Sequence, residues 1–225
     1  MKKLIEIRTP QLPDIETCMT TIVETKDFDS VILEEAGGVS AIEMGVVLGQ
    51  YCTKEIFLKI TCRDRNRIAL HSEMTTAAVA GLFKVVIADG THPAHTQFPA
   101  AKPVYELDAL NLLRMIKSNS PPFGVADLSP LNSQPWNIGV CIGGLTHADI
   151  GRARKFASAG ADMFFVGSLA ALTEIKQLTD KPIFLSVAAE QTQDFSETLR
   201  EAEEAGASGI NLVVGSNKLS NGILR

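Results

Sequence analysis

Short apolar runs separated by longer amphipathic stretches recur along the whole chain. Residues 4–8 alternate apolar and polar and stop at Thr9-Pro10, which predicts a first strand. Seven further runs, at 30–33, 56–62, 85–88, 137–142, 163–166, 182–187 and 210–214, are short and nearly continuous in apolar residues, as strands buried on both faces are. Helical spacing lies between them. It predicts helices from a cap at Asp14 to about Lys26, from about Ile42 to Tyr51 and from about Ile68 to Ala80. Two more are predicted from a cap at Asp108 through Ile116, and from Thr146 to about Ala159. Asn66 is placed to cap the third helix and Gly81 to end it. Residues 118–136 hold Pro121, Pro122, Pro130 and Pro135. They read as a long loop over one end of the domain, since the strand–helix alternation resumes unchanged beyond them.

A weak repeat supports one reused unit. Ala159-Gly160-Ala161-Asp162 precedes a run ending in Gly167-Ser168, and Ala205-Gly206-Ala207-Ser208 precedes one ending in Gly215-Ser216. Strand–helix alternation repeated to an eighth strand predicts an α/β fold, a closed (β/α)8 TIM barrel forming a single domain over residues 1–225. The end after the eighth strand is short, so that side is expected to be covered either by a partner subunit, like or unlike, or by a short helix alone.

Composition narrows the class. A net charge of −5 and no basic stripe argue against a nucleic-acid partner. No apolar run approaches the roughly 20 residues that span a bilayer, and Glu6 and Pro10 interrupt any leader-like start. Cys18, Cys52, Cys62 and Cys141 are scattered, which suits a reducing cytoplasm better than a disulfide framework or metal cluster. No metal site is expected.

Candidate chemistry gathers where strands end, the ligand-binding edge of parallel α/β folds. Glu6 lies inside the first strand. It is either a carboxylate in a low-dielectric interior, fit to donate a proton, or a salt-bridge partner of Lys2 or Arg8. Glu34 and Glu35 follow the second strand and are either ligand-orienting or solvated. Lys59 stands in an apolar run and needs an anionic partner, a phosphate, Glu6 or Asp89. The sequence Asp89-Gly90-Thr91-His92-Pro93 is either a ligand-facing set or a capped turn. His147 is a candidate beside the helix start that it occupies. Arg152, Arg154 and Lys155 either reach a diphosphate or face water.

Several of these segments resemble the methylenetetrahydrofolate reductase family. The resemblance rests on Ile60-Thr61-Cys62-Arg63-Asp64-Arg65-Asn66-Arg67-Ile68-Ala69-Leu70 with Ala77-Ala78 and Gly81, on Gly90-Thr91-His92-Pro93, and on Ala101-Lys102-Pro103-Val104-Tyr105-Glu106-Leu107-Asp108. Glu34-Glu35-Ala36-Gly37-Gly38-Val39, Ile5-Glu6-Ile7-Arg8-Thr9-Pro10, and Lys155 with Ala159-Gly160-Ala161-Asp162 look like further segments of that family. The resemblance implies a (β/α)8 flavoprotein of folate one-carbon metabolism. Such a protein binds FAD, takes electrons from a reduced nicotinamide or a protein donor, and reduces methylenetetrahydrofolate to methyltetrahydrofolate.

By the same resemblance Glu6 falls on the catalytic acid. Lys59 falls where a histidine stands beside the flavin, Thr91 where an aspartate contacts the flavin ring, and Lys155 near the FAD diphosphate. Together with the strand-end candidates, the expected cofactor-facing set is Lys59, Asp89, Gly90, Thr91, His92, His147 and Lys155, with Glu34 and Asn66 on the substrate side. Val166-Gly167-Ser168 stands where the family has a pterin-binding glutamine. The substitutions at Lys59, Thr91 and Gly167 leave two alternatives open. One is a flavin-less pterin-binding or methyl-transfer barrel, the other a non-catalytic subunit of a larger reductase.

Overall fold

The structure, a computed structural model, describes residues 1–10, 15–35, 37–117, 131, 133–190, 192 and 194–214. Eight parallel strands close into a barrel in sequence order: β1 (Lys2–Arg8), β2 (Ser30–Glu34), β3 (Glu55–Thr61), β4 (Lys84–Ala88), β5 (Asn137–Ile142), β6 (Met163–Val166), β7 (Ile183–Ala188) and β8 (Gly209–Val214). The described helices are α1 (Ile15–Glu24), α2 (Ala41–Leu48), α3 (Arg67–Val79), α4 (Ala109–Lys117), α5 (His147–Ser158), α6 (Leu169–Lys176) and α7 (Phe195–Glu204). Each follows the strand of the same number. This is the (β/α)8 barrel that the strand and helix pattern predicts.

The predicted caps form where their residues are described. Asn66 Oδ1 accepts from Ala69 N at 2.9 Å, and Asp108 Oδ1 from Asn111 N at 2.8 Å. Thr146 and Asp149 make a reciprocal capping box at α5. Asp14 and most of 118–136 lie outside the described residues. Helix α2 stops at Leu48, three residues short of the expected Tyr51, because Gly49 caps it and the chain turns there. The loop after β4 holds one 3₁₀ turn, Pro93–His95.

The Gly160 and Gly206 pair of the repeat adopts φ of 91° and 83°, ending α5 and α7. The polar residue two positions later ties the next strand to its neighbour. Asp162 Oδ2 accepts from Ile138 N at 2.7 Å and Ser208 Oγ from Ile183 N at 3.2 Å. Asp29, before β2, does the same for Lys3 N at 2.8 Å.

Side chains inside the barrel stack in layers. Stepping around the registers, with the strand tilt of a closed eight-stranded barrel, puts Leu4, Phe57, Gly139 and Phe184 on one level. Ile32, Val86, Phe165 and Asn211 form the next. Glu6, Lys59, Cys141 and Ser186 form the level above, toward the carboxyl ends of the strands. Two glycines make the aromatic middle possible. A Cβ on Gly139 would lie 2.6 Å from Phe165 Cε2, and one on Gly209 would lie 2.6 Å from the Phe184 ring. Phe165 and Phe184 stack in that space, 5.2 Å apart. At the amino ends of the strands Glu55 binds both Lys2 and Lys84 at 2.5 Å. A larger apolar shell between the barrel and its helices completes the core.

Candidate active site

Above its apolar middle the barrel turns polar. Glu6 is 4% exposed, and both of its carboxylate oxygens accept hydrogen bonds. Lys59 Nζ reaches Oε1 at 2.5 Å, and Asn211 Nδ2 reaches Oε2 at 2.8 Å. The same ammonium binds Glu34 Oε1 at 2.9 Å, and Arg8 Nε binds Glu34 Oε2 at 3.1 Å. The result is a chain of alternating charge, Glu6–Lys59–Glu34–Arg8, running from the barrel interior to its rim. Alternation along β1 puts Glu6 and Arg8 on the inner face, and the same period puts Glu34 and Lys59 opposite them.

Of the expected alternatives, Lys59 takes Glu6 as its partner, and Glu6 pairs with Lys59 rather than with Lys2 or Arg8. Burial alone would raise the Glu34 carboxyl, but Lys59 and Arg8 overcome it and hold its pKa below the ordinary value. Burial opposes the Lys59 ammonium too, yet Glu6 and Glu34 raise its pKa above the ordinary lysine value. Burial pushes the Cys141 thiol up to about 12, so it stands in this layer as a neutral thiol.

A cleft of about 230 Å³ opens beside this layer, lined by Asp89, Cys141, Ile142, Gly143, Asp149 and Arg152. Asp89 is bound on both oxygens by Arg152, and Oδ1 also accepts from Ala109 N at 2.9 Å. Burial alone would raise its pKa, and these partners lower it instead. Arg152, not Lys155, is the basic residue of α5 that meets the strand ends. The helix runs away from the mouth, so each residue along it lies about 1.5 Å further down. The Arg152 side chain leans back toward the helix start. Lys155 is exposed near the far end.

A second polar hub lies at the ends of β2 and β3. Arg65, 8% exposed, donates to Glu73 at 2.6 Å, to Asp64 at 2.8 Å and to Thr61 Oγ1 at 2.9 Å, and pairs with Glu35 at 3.2 Å. It ties two loops to α3. The family-like Arg-Asp-Arg-Asn segment is therefore largely a structural clamp in this chain.

The remaining expected site residues are spread more widely. Gly90 has φ 87°, and a Cβ there would come within 3.0 Å of Thr61, so the turn fits glycine alone without strain. Thr91 and His92 are exposed, and His92 Nδ1 caps the 3₁₀ turn by accepting from Ala94 N at 3.1 Å. His147 is exposed at the first turn of α5, and Asn66 is exposed with its oxygen engaged as a cap. The structure thus brings together Glu6, Glu34 and Lys59. Asp89 and Gly90 stand at the neighbouring rim, and Thr91, His92, Asn66, His147 and Lys155 do not join the interior layer.

Of the residues expected to face FAD, two are already engaged by other side chains and a third is exposed on α5. Asp89 is bound by Arg152 on both oxygens, Lys59 is held by two carboxylates, and Lys155 is exposed near the far end of α5. Ser186 of β7 completes the layer, Asn211 of β8 supports it from the level below, and both escaped the sequence reading. An asparagine within an apolar strand was the available signal. Among the described residues, no group of three His, Cys, Asp or Glu side chains is arranged to hold a metal. None of the described helices is long and apolar enough to cross a membrane.

The fold and this mouth define a (β/α)8 barrel with a polar, strand-end site. No family model matches the chain. A search of curated proteins also finds no match. Solved structures match over almost the whole chain. Oxaloacetate acetylhydrolase is 12% identical, with a TM-score of 0.62 over 95% of this chain and 75% of its own. The tryptophan synthase complex from Pyrococcus furiosus is 11% identical, with 0.63 over 97% and 88%. Tryptophan synthase from M. tuberculosis is 11% identical, with 0.62 over 99% and 87%. At such identities the likeness shows the fold alone.

Proposed function

We propose that the protein binds a reduced folate at the carboxyl-end mouth and acts on its one-carbon unit, converting methylenetetrahydrofolate to methyltetrahydrofolate. The observation that carries this reading is Glu6. It is buried on the inner face of β1, it is the residue on which the resemblance places the catalytic acid, and it is oriented from both sides by Lys59 and Asn211. Burying a carboxylate and an ammonium inside a barrel is expensive, and such groups concentrate at functional sites. Glu6 serves to meet the pterin ring, Lys59 to hold Glu6 and Glu34 in place, and Glu34 with Arg8 to form the rim that the substrate passes. Electrons for the reduction come from a reduced nicotinamide or a protein donor. The free thiols suit a reducing compartment such as the cytoplasm.

The commitments of Asp89 and Lys59 favour a second reading, a pterin-binding one-carbon barrel that works without flavin or serves within a larger reductase. Two measurements on the purified protein separate the readings. Isothermal calorimetry with methyltetrahydrofolate is expected to show saturable binding, and its absence removes both readings. A visible spectrum recorded with added FAD decides between them. A retained flavin band upholds the flavin-dependent reductase, and a colourless protein that still binds the folate upholds the second reading.

A further inference from the structure

Asn211 is a poor choice for stability. It is fully buried, in a barrel layer whose other members are Ile32, Val86 and Phe165. Its carbonyl Oδ1 has no hydrogen-bond partner, a deficit that costs about 1–3 kcal/mol for a buried polar atom. Both of its amide protons are used. Nδ2 donates to Glu6 Oε2 at 2.8 Å and to Ser186 Oγ at 3.2 Å. Asn211 lies one level below Glu6 and Ser186, on the strand between theirs, so one amide nitrogen reaches both. The Glu6 carboxylate fixes the amide orientation, because the flipped form would place a carbonyl against it.

This arrangement has a consequence for Ser186. Its oxygen accepts from Asn211, and among the described residues it makes no other hydrogen bond. Its proton is therefore available to an acceptor in the Glu6 level, where Ser186 is only half-buried. Just after β6, a Cβ on Gly167 would meet nothing within 4 Å among the described residues. Each Glu6 oxygen retains a second lone pair beyond the one that Lys59 or Asn211 uses.

We propose that Ser186 is a substrate-binding residue and Asn211 its positioning residue, so that Glu6 and Ser186 together read a ligand edge with an N–H beside a carbonyl or ring-nitrogen acceptor. The lactam edge of a reduced pterin has this chemistry. The inference rests on the folate reading above and adds two residues to it. Ser186 donates to the ligand acceptor, Glu6 accepts the ligand N–H, and Asn211 sets the separation of the two.

The test is calorimetric titration of the full chain and its variants with methyltetrahydrofolate, with the thermal midpoint of each recorded. Ser186→Ala is expected to weaken binding about 3- to 10-fold, the value of one neutral hydrogen bond. Ser186→Thr, which keeps the hydroxyl, is expected to stay within about 2-fold of the unaltered chain on the same argument. Asn211→Leu is expected to weaken binding at least as much as Ser186→Ala. Adding Ser186→Ala to it should cause little further loss, because the serine is no longer oriented. A purely structural role for Asn211 gives additive losses instead, and overturns its assignment. If the unaltered chain binds the folate and Ser186→Ala binds equally well, the Ser186 assignment falls and the folate reading stands. If the unaltered chain binds no reduced folate, both fall.

Discussion

Replacing Lys59 with Met tests the charge chain directly. Methionine keeps most of the stem volume and removes the ammonium. Glu6 then keeps Asn211, and Glu34 keeps Arg8, but two carboxylates share the interior without the cation between them. Removing one member of a buried pair costs about 3–5 kcal/mol, because the remaining charge stays buried. The side chains concerned are well inside that regime, 14% exposed for Lys59 and 6% for Glu6. For a domain of this size each kcal/mol moves Tm by about 2–4 °C, so the expected loss is about 6–20 °C at pH 7.

The pH dependence gives a second, independent reading. In the unaltered chain Glu34 has a lowered pKa, so its contribution to stability is present above its ordinary value and is lost as pH falls through the lowered one. Without Lys59, burial is opposed by Arg8 alone, and deprotonated Glu34 no longer stabilises the fold to the same degree. The gap between Lys59→Met and the unaltered chain should therefore be largest at pH 7 and shrink as the solution is taken below the ordinary carboxylate range. Urea unfolding at pH 7 and at acid pH measures both values. A deficit under about 1 kcal/mol at pH 7, the worth of a surface pair, would refute the argument. So would a deficit that does not change with pH.

Three further outcomes follow from the geometry. Gly139→Ala drives a methyl into Phe165 and Met163 and is expected to lower stability by about 1–3 kcal/mol, with Phe165→Leu recovering part of the loss in chemical denaturation. Glu55→Gln at the amino end of the barrel removes a carboxyl whose pKa falls to about 2, where Lys2 and Lys84 overcome the effect of burial. Because the cluster is about one-third exposed, the loss at pH 7 should stay below about 1 kcal/mol and vanish in acid titration as pH falls through about 2. Arg65→Met leaves Glu73 and Thr61 without their buried donor and is expected to cost about 3–5 kcal/mol, with hydrogen exchange accelerating at the start of α3.

The barrel was legible because its strands are nearly continuous apolar runs and its helices carry recognisable caps. Both signals are local. Asn66, Thr146 and Gly160 announce helix ends by residue type alone, and all three act as read. The site was legible only in part, because it is built from strand neighbours far apart in sequence. Glu6 and Lys59 stood out as charged residues within apolar runs, and the layer order of a closed barrel brings them together. Asp89 also stood out, but the cation that occupies it lies 63 positions away on α5, and no local pattern indicates that contact. Lys155 was preferred over Arg152 on resemblance. Three residues along a helix is most of a turn down its axis, enough to decide which one meets the strand ends. Asn211 and Ser186 were passed over because a single polar residue in a strand has no period to reveal it.

Whether the upper layer exists for stability or for chemistry can be decided by removing the pair together. A buried ion pair replaced by apolar side chains of similar volume is often neutral, or stabilising by about 1–4 kcal/mol. In Glu6→Leu/Lys59→Met the new side chains would extend the apolar level of Ile32, Val86 and Phe165 upward. The Asn211 amide would lose one acceptor, a penalty of about 1–3 kcal/mol, and Glu34 would still hold Arg8. These two effects nearly cancel. The double variant should unfold within about 2 kcal/mol of the unaltered chain, although Lys59→Met alone loses about 3–5. It should bind no methyltetrahydrofolate. A double variant as unstable as the sum of its single changes would mean that Glu6 and Lys59 hold the barrel together, and the reason for reading them as a site would be gone. A stable barrel that has lost its ligand would mean that the fold carries this pair at some expense to itself, which leaves binding as the reason for keeping it.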